Sequence, residues 1–96
     1  MSHSVRFKRL ARIWIRRESE YLREHRPAAA QRFIDAIDRA ARQLSEYPMS
    51  GPPGLIPDTR RLVVGPYILS YRVRRGIVEV FAVRHGRQRD ARAPVE

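Results

Sequence analysis

Cysteine is absent from the 96 residues, so the chain has no disulfide framework, no thiol nucleophile and no cysteine metal site. Lysine is almost absent: Lys8 stands alone among 20 basic residues, and the others are arginine. No glycine-rich phosphate loop is present, because Gly51-Pro52-Pro53-Gly54 is stiffened by proline and lacks the lysine and hydroxyl of a Walker motif. No serine sits in a nucleophile elbow. No apolar run approaches the roughly 20 residues of a membrane span, and the N-terminus lacks the apolar core of a signal peptide. The expectation is a cytoplasmic protein without a membrane partner. His3 and His25 have no ligand-like spacing to each other or to acids, so neither a metal site nor a cofactor is expected.

Arginine is what the chain has in excess, and its distribution matters more than its number. The formal charge is +10. Residues 1–26 hold eight basic side chains against three carboxylates, for +5. Residues 27–58 hold three against four, for −1, and residues 59–96 hold nine arginines against three, for +6. Two basic segments flanking a neutral one favour an acidic partner, either nucleic acid or an acidic protein. The competing explanation is an arginine-rich genome, which the single lysine supports.

The length gives one domain, residues 1–96, with a single modest core. Thr59 to Asp90 organises it. Leu62, Val63 and Val64 begin a strand that Gly65-Pro66 interrupts. Tyr67, Leu69, Tyr71 and Val73 alternate with Ile68, Ser70 and Arg72 in a second strand. Arg75-Gly76 has hairpin-turn form, and Ile77, Val78, Val80, Phe81 and Val83 supply a third strand.

Ser4 to Phe7 is too short to stand alone and needs the later sheet. Lys8 to His25 is predicted helical, with Ala11, Ile15 and Leu22 on one face and Trp14 and Tyr21 beside them. Glu18 interrupts that face. An unpaired buried carboxylate is costly, so an arginine such as Arg17 or Arg12 is its expected partner. Pro27 suits the first turn of a second helix. Its apolar stripe is Ala30, Phe33, Ile34, Ile37, Ala41 and Leu44, with Asp35–Arg39 and Asp38–Arg42 as outward i,i+4 pairs. Proline and glycine make Tyr47 to Asp58 a loop. The predicted class is α+β, in the order β-α-α-β-β-β, with a helical hairpin packed on a small, mostly antiparallel sheet.

For chemistry, His85 in Arg84-His85-Gly86-Arg87 is a candidate acid or base, or simply a loop histidine beside a turn glycine. Tyr67 and Tyr71 share a strand face by parity; they can stack on bases, or belong to the core or to a partner interface. The arginines around the sheet can hold phosphates or form a solvated edge.

The order of elements and several local motifs resemble the ParE/RelE superfamily of bacterial toxins from type II toxin–antitoxin modules. The likeness runs from about Val5 to Asp90. It is carried by Ala11 with Tyr21-Leu22, by Pro27-Ala28-Ala29-Ala30, and by Leu44 with Pro48 and Gly51. It continues through Arg61-Leu62, Gly65, Tyr67, Tyr71-Arg72-Val73, Val80 and Val83-Arg84-His85-Gly86-Arg87. The resemblance implies a β-α-α-β-β-β toxin neutralised by a cognate, ParD-like antitoxin. It also implies one of two mechanisms. RelE-like members cut mRNA on the ribosome, whereas ParE-like members poison DNA gyrase without nuclease chemistry.

RelE-like nucleases usually carry arginine directly after the tyrosine of the second meander strand, where this chain has Ile68. They also tend to end in a catalytic tyrosine or histidine, which the tail Asp90 to Glu96 lacks. The ending His85 to Asp90 looks like the ParE branch, although ParE-like members also commonly have arginine at the Ile68 position. The expected target is therefore DNA gyrase, engaged by binding, with direct nucleic-acid contact open through the basic surface. Charge and resemblance together nominate Arg72, Arg74, Arg84, His85, Arg87 and Arg89 for the target, with no catalytic residue. Leu10, Ile13 and Trp14 are extra apolar groups on the first helix and are nominated for the antitoxin, with Trp14 as anchor. Two alternatives stay open: a RelE-like endonuclease using His85 with Arg84, Arg87 and Arg89, and a non-toxic basic binding module.

Overall fold

A computed structural model describes residues 2–87. The elements are β1 (Ser4–Phe7), α1 (Arg9–His25), α2 (Pro27–Glu46), β2 (Arg60–Val64), β3 (Tyr67–Arg74) and β4 (Ile77–His85). The sheet order is β1-β4-β3-β2, with β1 parallel to β4 and the other pairs antiparallel. The short first strand finds its partner as expected, with Val5 opposite Val78 and Phe7 opposite Val80.

One residue, Arg26, separates the helices. Its N–H donates to the Leu22 carbonyl and closes α1, and its own carbonyl accepts from Ala29 and Ala30 to open α2. Pro27 lies in the first turn, where a missing N–H costs nothing. Helix α1 begins one residue later than its periodicity predicts, because Lys8 is extended and donates its N–H to the Val80 carbonyl.

The hairpin lies on the sheet face that carries Val5, Phe7, Leu62, Tyr67, Leu69, Tyr71, Val78, Val80 and Val83. Val80 and Val83 are three apart yet share that face, because the β3–β4 register jumps from Ser70↔Ala82 to Tyr71↔Val80. Phe81 is the extra residue of this bulge, and it restores the alternation that the sequence breaks. On α2 the buried positions are Ala30, Phe33, Ala36, Ile37, Ala40 and Leu44, while Ile34 and Ala41 are half-buried. The stripe is thus rotated slightly from its predicted line. At Asp35 the predicted pairing with Arg39 gives way to Gln31, which donates to Asp35 at 2.9 Å.

The turns follow their residues. Arg75 and Gly76 both have positive φ, at 53° and 75°, as a two-residue primed hairpin turn requires. The loop from Tyr47 is fastened to the sheet. Gly51 N–H donates to the Tyr71 hydroxyl at 2.9 Å, Arg61 N–H donates to the Pro52 carbonyl at 2.9 Å, and Arg60 Nη1 donates to the Gly51 carbonyl at 2.7 Å. Tyr67 and Tyr71 are both in the core, so neither is displayed for base stacking.

Candidate functional site

The hairpin leaves one corner of the sheet uncovered. Where Gly65-Pro66 joins β2 to β3 and β4 ends in His85, a groove of about 670 Å³ opens between α1, α2 and the sheet. Its floor is aromatic. Trp14 stands edge-on to Phe33 and to Tyr67, with ring centroids 6.2 and 6.0 Å apart; Phe33 and Tyr67 are 4.7 Å apart, and His85 meets Tyr67 edge-on at 5.6 Å. Arg26, Arg32 and Arg39 also line it, and Glu18 is the one carboxylate among the described lining residues.

Among the described residues Glu18 does not pair with arginine, contrary to the expectation from its place on the helix. Its Oε2 accepts the Tyr67 hydroxyl at 2.8 Å, while Arg12 donates instead to the Phe7 carbonyl at 2.9 Å. Burial, the hydrogen bond to Glu18 and the charge of Glu18 push the Tyr67 phenol up to about 12. Tyr67 is therefore a neutral donor throughout the physiological range and not a base. Tyr21, predicted beside the apolar face, is exposed and stacks on His25 with centroids 4.3 Å apart.

The nominated arginines do not form one cluster. By strand alternation Arg72, Arg74 and Arg84 lie on the sheet face opposite the helices, whereas His85 turns toward the groove. Arg72 and Arg74 are at the hairpin end. Arg72 Nε meets its cross-strand neighbour Glu79 at 3.0 Å, with both side chains about 15% exposed, and Arg74 is exposed. Arg84 is at the other end, opposite Ile68, and is buried, with Nη1 3.4 Å from the His85 carbonyl. From Ile68 to Arg74 the strand β3 spans about 20 Å, too far for one contact point. Arg87 is exposed at the Arg84 end, where Gly86 N–H donates to the Pro66 carbonyl at 2.7 Å. Arg89 lies outside the described residues.

The family model described as "ParE toxin of type II toxin-antitoxin system, parDE" matches residues 5–90. The chain belongs to the ParE toxin family.

Relatives within the ParE/RelE group agree. The candidate toxin Y4kP of Sinorhizobium fredii is 44% identical over 70 residues, covering 71% of this chain and 72% of that protein. Toxin RelE2 of Caulobacter vibrioides is 35% identical over 66 residues, covering 69% and 75%. Among solved structures, the chromosomal ParDE system of P. aeruginosa superposes with a TM-score of 0.77 at 17% identity, covering 88% of this chain and 96% of that one. The RelBE2 toxin–antitoxin complex of Mycobacterium tuberculosis superposes with a TM-score of 0.66 at 23% identity, covering 88% and 99%. At those identities the superpositions speak for the fold: two helices on a four-stranded mixed sheet.

Of the three apolar residues nominated on α1 of this ParE-family chain, Trp14 lines the groove and is half-buried. Leu10 is exposed and Ile13 half-buried, and neither is among the described lining residues. Sequence reasoning missed Arg26, Arg32 and Arg39 as a rim. The available signal was that Arg32 and Arg39 stand seven apart, on one side of the α2 stripe. Among the described residues no group of three or more metal-ligating side chains occurs, and no helix is long and apolar enough to cross a membrane.

Proposed function

We propose that this ParE-family toxin acts by binding DNA gyrase through the arginines at the Gly65-Pro66 end of the sheet, and that an antitoxin neutralises it by docking in the groove. Arg87 is exposed there, Arg84 packs beneath the same end, and Arg89 belongs to the set by sequence. Guanidinium groups engage phosphate or carboxylate bidentately, and gyrase held on DNA offers both. Arg72 and Arg74 form a second, separate basic area of the same proposal.

The observation that carries the non-nuclease reading is Ile68. The position where RelE-like nucleases usually have arginine holds an aliphatic side chain, half-buried opposite Arg84. Without that guanidinium, the extra negative charge of a phosphoryl transition state loses its expected stabiliser. The antitoxin reading is supported by the toxin–antitoxin assemblies named for the two superposed structures and by the aromatic floor of the groove. A RelE-like nuclease is the second reading, favoured by the kinship to toxin RelE2 and by His85 beside Tyr67.

The two mechanisms stop different syntheses first. After induction in a bacterial host lacking an antitoxin, pulse labels should show DNA synthesis failing while protein synthesis continues. Protein synthesis failing first would transfer the assignment to the nuclease.

A further inference from the structure

The groove presents a pattern of charge as well as an apolar floor. Arg32 and Arg39 are seven residues apart on α2, so they stand about 10 Å apart along one wall. Glu18 is on the opposite wall, eight residues before the Arg26 corner. In an antiparallel hairpin that height corresponds to about residue 34 on α2, between the two arginines. An occupant lying along α2 therefore meets positive, negative and positive charge in turn. Glu18 is held in place by the Tyr67 hydroxyl and cannot swing away without breaking a 2.8 Å bond.

We propose that Glu18, Arg32 and Arg39 determine which antitoxin this toxin accepts. Resting on the toxin–antitoxin reading, the inference names the partner segment by its chemistry: an acidic amphipathic helix. Its apolar face covers Trp14, the half-buried ring of the floor. On the flank toward α2 it carries Asp or Glu at two positions seven apart. On the flank toward α1, midway between them, it carries a cation or an amide for Glu18. The wall from Ala29 to Arg39 is about three helical turns long. A segment that short is marginal as a free helix and folds on binding. Charges along the rim of such a groove contribute chiefly by rejecting wrong partners, since like charge facing like charge is penalised.

The test works without the antitoxin itself. A yeast-displayed library of amphipathic helices of about 15 residues, with apolar positions fixed and all others random, is sorted against the purified full chain. It is sorted in parallel against Arg32→Glu/Arg39→Glu and against Glu18→Lys, with Glu18→Gln as the milder variant. Wild-type protein should enrich paired acids seven apart, with Lys, Arg or Gln at the intervening position on the opposite flank. The double variant should reverse the paired positions to basic residues and leave the intervening one alone. Glu18→Lys should reverse the intervening position only, and Glu18→Gln should erase its preference. Enrichment of the same sequences by every bait, or no enrichment by wild type, overturns the proposal. Peptide sorting is independent of toxicity, so a chain that binds such helices but does not arrest growth would refute the toxin mechanism and leave the groove's specificity standing.

Discussion

The Tyr67 hydroxyl donates to Glu18 at 2.8 Å, joining the first helix to the third strand across 49 residues of sequence. The bond offsets part of the penalty of a half-buried carboxylate and ties one wall of the groove to its floor. Burial, and after it this hydrogen bond and the charge of Glu18, raise the Tyr67 phenol to about 12. A folded-state value above the ordinary 10.0 means that the native state holds this proton more tightly than the unfolded chain. The stabilisation is complete below about pH 10 and is lost as pH rises toward 12. Phenolate absorbance should show one tyrosine ionising near 12, and Glu18→Ala should lower that step. An unchanged step in the variant would mean that Glu18 does not hold the phenol proton.

Trp14 packs into the fold and, on the proposed reading, also anchors the antitoxin. It is half-buried and edge-on to Phe33 and Tyr67, so Trp14→Ala should destabilise by roughly 1–3 kcal/mol, less than the 3–5 of a fully buried aromatic. Antitoxin binding should weaken beyond what that loss explains. Chemical denaturation and titration calorimetry separate the two effects. A purely stability-linked loss would assign Trp14 to the core alone.

Gly51 has no room for a side chain. A Cβ there would lie 2.6 Å from the Arg61 carbonyl oxygen and 2.9 Å from the Tyr71 ring. Both neighbours are held, so Gly51→Ala should cost about 1–3 kcal/mol through overpacking. Tyr71→Phe should cost a similar amount, about 1–3 kcal/mol, by leaving the buried Gly51 N–H without its acceptor. Thermal melts should show both losses, and wild-type melting of either variant would contradict the tight loop-to-sheet contact.

The sequence carried the element order because its periodicities are clean: period two in Tyr67 to Val73, a 3.6-residue stripe in α2, and positive-φ chemistry at Arg75-Gly76. It did not carry the bulge at Phe81, since an apolar run that loses its alternation has several ways to regain it. Nor did it show Glu18 meeting Tyr67, because a contact between residues 49 apart depends on how the hairpin sits on the sheet. Among the site residues, the arginine-rich strands were visible. Their division into two ends of one sheet face, with Arg84 buried and His85 on the opposite face, emerges only from the register.

Exposed Arg87 and the groove adjoin, because Pro66 borders the groove and its carbonyl accepts from Gly86 beside Arg87. Replacing Arg87 and Arg89 with alanine should abolish growth arrest while sparing the groove. Each shielded, charge-assisted hydrogen bond to the target is worth about 1–3 kcal/mol, less where exposed. Groove-binding helices should still bind the double variant by fluorescence anisotropy, and loss of both properties together would argue that the corner supports the fold.

Whether the chain poisons gyrase by binding, rather than cutting RNA, is read from DNA supercoiling by purified gyrase with increasing amounts of the protein. Detergent and protease then release linear DNA from trapped complexes. Wild-type protein should suppress supercoiling and raise linear DNA, and the Arg87→Ala/Arg89→Ala variant should do neither. Wild-type protein in excess over gyrase that leaves supercoiling intact and yields no linear DNA would refute the gyrase mechanism.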